Sequence, residues 1–320
     1  MWVPAGMPAI QRGRLDQVNI VVVGSANMDL VARVPRCPRP GESLLGESFV
    51  TVPGGKGANQ AVAAARLGAE VAFIGCVGAD AFGDALLASL NAEGIDTSRV
   101  VRHASVPTGI AMIQVDASGQ NTIVVVPGAN LELSRAHIEK SREVFEQADA
   151  MLIQLEIATE AIEAALDMAR KTTTRSILDA GPPRDVPLEL LAKADVISPN
   201  ETETHALTGI DIHTVEDAKA AAATLRNAGC REVVLKLGAR GAYYLGHEEH
   251  HAPAFDIEAV DTVAAGDAFT TALALRLGQV PLVDAVRFAN AAGALAAMRS
   301  GTQSAMPRLH EVEAFLRERA

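Results

Sequence analysis

Residues 196–237, VISPNETETHALTGIDIHTVEDAKAAAATLRNAGCREVVLKL, contain one complete period of this chain. The short apolar run Val196–Ser198 reads as a strand. After a polar stretch comes Val215–Asn227, with apolar residues at helical spacing behind Thr214-Val215-Glu216-Asp217, which is close to a capping box. Val233–Leu237 is the next apolar run. A strand, a helix and a second strand predict a parallel pair joined by a helical crossover.

The same rhythm extends in both directions. Toward the N-terminus, candidate strands are Ile20–Val23, Val71–Ile74, Met151–Leu155 and Ser176–Leu178, separated by helical segments Ala58–Leu67, Asp84–Ala92 and Thr159–Arg170. Toward the C-terminus lie two alanine-rich helices, about 266–277 and 284–299, ending near Gly301. The predicted fold class is therefore α/β: a three-layer α/β/α domain with a central, mainly parallel sheet. Two segments break the rhythm. Thr108–Val115 and Asn121–Val126, divided by Asp116-Ala117-Ser118-Gly119, read as a hairpin. Asp29–Val52 is extended and interrupted by Pro35, Pro38 and Pro40. Together these predict a small β-sheet lid from segments of about 29–53 and 107–127.

Composition sets limits on function. The chain has 320 residues, with 28 Lys and Arg against 39 Asp and Glu, a net charge of −11. That balance argues against a nucleic-acid partner. Apolar residues at 49% predict a substantial core, and aromatics at 3% leave little for a base-stacking platform. Cys37, Cys76 and Cys230 form no CxxC pair, which predicts neither a disulfide framework nor a zinc site, but a reducing cytoplasmic setting. No apolar run approaches the roughly 18 residues of a membrane helix. Residues 1–18 mix Pro, Gly and Arg and read as a disordered extension rather than a secretory signal.

Three motifs fail on inspection. His247-Glu248-Glu249-His250-His251 spells HExxH, but it lies between the β-like runs Ala242–Leu245 and Ala252–Phe255, and zinc binding needs a helix. Pro53-Gly54-Gly55-Lys56-Gly57 lacks both the first glycine and the Ser or Thr of a P-loop. Gly24-Ser25-Ala26-Asn27 carries no dinucleotide fingerprint, which removes the main support for a dehydrogenase.

Others survive. Ala264-Ala265-Gly266-Asp267 opens an apolar helix, where successive backbone N–H groups and the helix dipole favour an anion. Asp267 is then either a general base beside that anion hole or an early-helix residue complementing the dipole. Gly54-Gly55-Lys56-Gly57-Ala58-Asn59-Gln60 opens another helix, with Lys56 and Asn59 as donors to a polyhydroxylated ligand. Asn27 and Asp29 leave the first strand at its carboxyl end, where open α/β sheets bind ligands. Gln154-Leu155-Glu156, Asn200-Glu201-Thr202-Glu203 and Lys236-Leu237-Gly238-Ala239-Arg240-Gly241 occupy equivalent strand ends. Glu201 and Glu203 are candidates to hold Mg²⁺ through waters.

Taken together and in this order, Asn27-Met28-Asp29, Gly54–Gln60, Pro199–Glu203 and Val260–Asp267 resemble the ribokinase branch of the PfkB carbohydrate kinases, from about Asn19 to the C-terminus. The resemblance implies one kinase domain over 19–320 and transfer of the ATP γ-phosphoryl group to O5 of D-ribose. It implies that Asn27, Asp29, Gly55, Lys56, Asn59 and Glu156 hold the sugar, with Asp267 as base and Ala264, Ala265 and Gly266 as the anion hole. Asn200, Lys236, Gly238, Arg240, Gly241, Gly266 and Asn290 would line the ATP site, and Glu203 would reach Mg²⁺ through water. A K⁺ ion would be held by Asp261, Val263, Ala296, Arg299 and Gly301, and the lid would form a homodimer. Alternatives are another substrate (2-deoxyribose, another sugar or a nucleoside) or a catalytically silent sugar- or nucleotide-binding regulator. The chain departs from the family pattern at Ala305, where a serine usually serves the cation, and at Thr271, where glycine is common. Asp179-Ala180-Gly181-Pro182-Pro183 also differs from the usual Pro-Ala-Pro pattern.

Overall fold

The computed structural model describes residues 18–319. The stretch read as a disordered extension thus lies outside the described residues, except Val18. That residue is buried, and its carbonyl accepts the Glu70 N–H (2.9 Å), so it belongs to the fold. The strands in chain order are β1 (Asn19–Val23), β2 (Asn27–Arg33), β3 (Ser48–Gly54), β4 (Glu70–Ile74), β5 (Cys76–Gly78), β6 (Val101–His103) and β7 (Gly109–Val115). They continue with β8 (Asn121–Val126), β9 (Ala150–Ile153), β10 (Arg175–Leu178), β11 (Val196–Ile197), β12 (Glu232–Lys236), β13 (Ala242–Leu245) and β14 (Glu249–Ala252).

Eight of them form one sheet in the order β14-β13-β12-β11-β10-β9-β1-β4. From β4 to β12 every pairing is parallel, and β13 and β14 add an antiparallel edge. The apolar runs of the parallel strands are continuous because both faces are covered. In β1, Ile20 and Val22 enter one core, with the helices Lys56–Arg66, Ala265–Arg276 and Leu282–Ala297. Val21 and Val23 enter the other, with Thr159–Thr172 and Val215–Asn227. Each valine fully removed from water contributes about 1.5–3 kcal/mol, which pins the strand at the centre of the sheet. Alanine on the facing sides of Ala265–Arg276 and Leu282–Ala297 lets these two helices pack closely, with Ala268, Ala272, Ala285 and Ala289 fully buried. Among the described residues, no helix is long and apolar enough to cross a membrane.

The rhythm-breaking segments form a separate four-stranded sheet, β3-β2-β7-β8. The expected hairpin is β7–β8, and the proline-interrupted stretch supplies β2 and β3. One strand falls earlier than its pattern suggests. β14 starts at Glu249, so His250 and His251 lie on extended backbone rather than ahead of it. The two-stranded pair β5–β6 leaves no clear trace in the sequence, each strand being three residues long.

Candidate active site

The carboxyl ends of β1, β9, β10, β11 and β12 converge on one edge of the main sheet, and the polar residues that follow them meet the first turns of two helices. The first is Lys56–Arg66. Its N-terminal amides are held from below: Glu156 accepts from the Lys56 N–H (3.1 Å) and from Ser25 Oγ, and Ser25 Oγ accepts from the Gly57 N–H (3.3 Å). Gly55 precedes the helix at φ 90°, with its α-carbon packed against the Asn27 backbone. Only glycine fits at Gly54, since a Cβ there would stand 2.2 Å from Asp29 Oδ2.

Helical spacing then places Lys56, Asn59 and Gln60 on one face, and all three reach Asp267. Asn59 Nδ2 donates to Asp267 Oδ2 (3.2 Å), Gln60 Nε2 donates to Oδ1 (3.1 Å), and the Lys56 ammonium stands 3.9 Å from Oδ1. Burial pushes the Asp267 carboxyl up to about 6. Lys56 opposes that rise, Asp179 adds to it, and the bonds from Gln60 and Asn59 restrain it. Burial alone would strip Lys56 of its proton, but Asp179, Asp267, Glu203 and Glu156 hold it firmly protonated. Asp267 is thus a buried carboxylate that a neighbouring ammonium keeps ionised at neutral pH.

The second helix, Ala265–Arg276, presents its first turn at the same point. Ala264 caps it in the left-handed region (φ 64°), and the first helical bond runs from the Ala268 N–H to the Ala264 carbonyl (3.0 Å). Gly266 therefore offers an amide with no partner inside the helix. The Ala265 N–H is instead engaged by the Thr262 carbonyl (3.3 Å), which leaves the hole narrower than three consecutive free amides.

On one side of Asp267 lies a cluster of buried polar side chains. Asp29 and Asn27 are buried there. Burial, aided by Glu156, pushes the Asp29 carboxyl up to about 7. Asn130 Nδ2 donates to Asn27 Oδ1 (2.7 Å) and Asn130 Oδ1 accepts from the Ala26 N–H (3.0 Å), fixing how the Asn27 amide faces the cluster. Asn59 Oδ1 is buried and finds no partner among the described residues, leaving an acceptor available for a hydroxyl.

On the other side is a cleft of about 640 Å³. Asn200, Lys236, Gly238, Gly241, Gly266 and Asn290 line it, and Phe255, Ile257 and Ala294 give it an apolar wall. Arg240 is brought near but turned elsewhere: it pairs with Glu201 and donates to the Ile212 carbonyl (2.8 Å). Glu203 accepts from the Asn200 N–H (2.7 Å) in a capping box, and its other oxygen lies against Gly181 beside the Lys56 ammonium. Farther along the helix mouth, Asp261 accepts from the Val263 N–H (3.0 Å) and the Gly301 N–H (3.2 Å), tying those loops together. The Asp261 N–H also bonds the Ala297 carbonyl (3.1 Å), next to Ala296. The Arg299 guanidinium is bound to Glu311 and its N–H to the Ala296 carbonyl (3.1 Å), and Ala305 is fully buried.

Sequence reasoning overlooked Gln60, Asn130, Asp179 and Thr270. For Gln60 the signal was present: it lies four residues after Lys56, one helical turn away. Asp179, the last residue before the β10 turn, was a strand-end carboxylate like the others. Asn130 comes from a 3₁₀ turn, Gly128–Glu132, that no pattern foretells.

A buried carboxylate at a helix N-terminus, beside a polar cluster and a cleft of nucleotide size, is an arrangement suited to phosphoryl transfer to an alcohol. The comparisons with known proteins agree. Over 299 residues the chain is 39% identical to a ribokinase from Haemophilus influenzae, covering 93% of this chain and 98% of that one. It is 34% identical to a deoxyribokinase from Salmonella typhi, over 93% and 99%. An Arabidopsis thaliana ribokinase solved with ribose and ATP superposes with a TM-score of 0.87 at 32% identity, over 94% and 99%. A solved E. coli structure holding ATP and Mg²⁺ gives 0.79 at 25% identity, over 94% and 99%. The family model for pfkB carbohydrate kinases matches residues 17–309. On fold, site and sequence alike, this chain belongs to the PfkB family of carbohydrate kinases.

Proposed function

We propose that the chain is an ATP-dependent kinase that phosphorylates D-ribose at O5, giving D-ribose 5-phosphate and ADP. The observation that carries this reading is Asp267, a buried carboxylate at a helix N-terminus between a polar cluster and a nucleotide-sized cleft. Asp267 takes the proton of the attacking hydroxyl as the new P–O bond forms and the bond to ADP breaks. The Gly266 N–H receives the charge of the phosphoryl group in transit, with Ala264 and Ala265 shaping the turn that presents it. Asn27, Asp29, Gly55, Lys56, Asn59 and Glu156 orient the sugar, some by direct hydrogen bonds and Glu156 by holding the Lys56 turn. A catalytically silent binder has no use for a base so placed.

ATP occupies the cleft lined by Asn200, Lys236, Gly238, Gly241, Gly266 and Asn290. Arg240 acts on it through the loop it anchors. Mg²⁺ would be held through waters by Glu203, which has one carboxylate oxygen outside its capping box, and would neutralise charge on the ATP phosphates. A monovalent cation such as K⁺ is assigned to the Asp261 carboxylate and the carbonyls of Val263, Ala296, Arg299 and Gly301, because Asp261 ties the Val263 and Gly301 loops together; Ala305 would contribute no hydroxyl. A reducing cytoplasmic setting suits the three free cysteines.

A coupled ADP-release assay tests both claims together. ADP should appear with ribose faster than with 2-deoxyribose, fructose or adenosine, and faster in K⁺ than in Na⁺. Absence of sugar-dependent ADP would sink the kinase reading, whereas equal rates in the two salts would sink only the cation site.

The smaller sheet is also the proposed lid and homodimer contact. Every residue of its edge strand β8 is exposed, including Ile123, Val124, Val125 and Val126, and an apolar free edge invites pairing. Sedimentation should report a dimer that Val124→Asp converts to monomer; a monomeric wild type would refute the contact.

A further inference from the structure

Outside the residues already assigned, the most unusual group is Asp179. It is fully buried, yet three donors converge on one of its oxygens: Gln60 Nε2 (3.1 Å), the Lys236 ammonium (3.1 Å) and Thr270 Oγ1 (3.2 Å). Its second oxygen accepts from the Gly181 N–H (3.3 Å). Gln60 cannot turn away, because its own oxygen accepts from Gln154 Nε2 (2.6 Å).

We propose that Asp179 is a positioning residue for phosphoryl transfer: it anchors Lys236 at the rim of the anion hole, where the ammonium meets the terminal phosphate of ATP. The proposal rests on the cleft being the ATP site. Lys236 ends β12 and lines that cleft, and its ammonium lies 3.5 Å from where a Cβ on Gly266 would stand. A lysine side chain is long and loses its aim readily. Here it is held on one side by Asp179 and on another by Thr270 Oγ1 (3.4 Å). Burying an ion pair is expensive and adds little net stability, so this pair is better accounted for by what it aims than by what it stabilises. The charged groups facing Asp179 are Lys236 and Lys56, which hold it ionised against the cost of burial. Asp267, Glu203 and Glu156 are the carboxylates that share Lys56 with it. Asp179 is not among the residues lining the cleft, so it acts there through Lys236 and Gln60, while its charge also bears on Lys56 and Asp267.

The test uses the full chain as wild type, Lys236→Met, Asp179→Asn and the double variant. Three readouts are taken: turnover with ribose, thermal midpoint, and the calorimetric affinity ratio of Mg·AMP-PNP to Mg·ADP, which needs no sugar. Each single variant should lose the preference for AMP-PNP, keep its affinity for ADP within about twofold, and lower kcat by about 10²–10³. The double variant should fall no further than Lys236→Met, since both changes remove the same contact. It should also recover the melting temperature that Lys236→Met sacrifices by leaving Asp179 without its cation. The idea is overturned if the double variant recovers turnover along with stability, which would make the pair structural. It is equally overturned if Asp179→Asn keeps the AMP-PNP preference, or if the two losses multiply. A wild type that releases no ADP with ribose would instead count against the proposed sugar, with the AMP-PNP ratio still deciding the role of Asp179.

Discussion

Asp267→Asn lowers kcat by about 10²–10⁴ while the thermal midpoint stays at or above that of the wild type. The amide is isosteric, so its oxygen keeps the bond from Gln60, its NH2 is met by the unpartnered Asn59 Oδ1 once that amide turns over, and the packing of the Ala265–Arg276 turn is retained. It cannot take a proton from the attacking hydroxyl. The stability side follows from burial. A carboxyl pushed up to about 6 gives up folding free energy as pH rises above its ordinary range, and a neutral amide has no such loss. In the wild type, turnover should decline as pH falls through about 6, because the protonated acid no longer accepts, and Asp267→Asn should lack that limb. Near-normal turnover of the variant would remove Asp267 from the chemistry.

Asp29→Ala raises the sugar KM by about 10²–10⁴ with a much smaller change in kcat. Two hydrogen bonds from vicinal hydroxyls to a carboxylate contribute about 1.5–3 kcal/mol each. An unchanged KM would take Asp29 out of the sugar site. The free protein tolerates this carboxylate at a cost. Its pKa is about 7 when folded against an ordinary 3.8, so the stability it lends is full below about pH 4 and is lost as pH rises toward 7. Asp29→Asn should accordingly melt higher than wild type at pH 8, by a few degrees, and no higher at pH 4. The same shift predicts that ribose binding weakens below pH 7, as protonation removes one acceptor.

How much of this was legible in the sequence depended on the length scale of the signal. β1, β9, β10 and β12 are buried on both faces, and continuous apolar runs announce that. The Ala264–Gly266 and Gly54–Gln60 turns were legible as helix openings because small residues cluster where backbone packs closely. Asp179 was not, because a lone strand-end carboxylate looks the same whether it binds a substrate or a lysine 57 positions away. Arg240 shows the converse: flanking glycines suggested a nucleotide contact, but Glu201 and the Ile212 carbonyl claim its guanidinium. Glu203, expected to reach magnesium through water, closes the capping box with Asn200. Partners of this kind are set by tertiary packing, and spacing along one chain does not encode them.

The registers of the smaller sheet have a mechanical meaning. Asn27 is the partner of both Gly54 and Gly109, so three strands are rooted at one point, beside the polar cluster. From there β2 runs seven residues to Arg33, a lever of about 20 Å. A rotation of about 10° at the root would sweep the far end through about 3–4 Å while barely displacing Asn27 itself. With the fulcrum at Asn27 and the long arm outside, such a swing would leave the buried polar groups around Asn27 nearly in place.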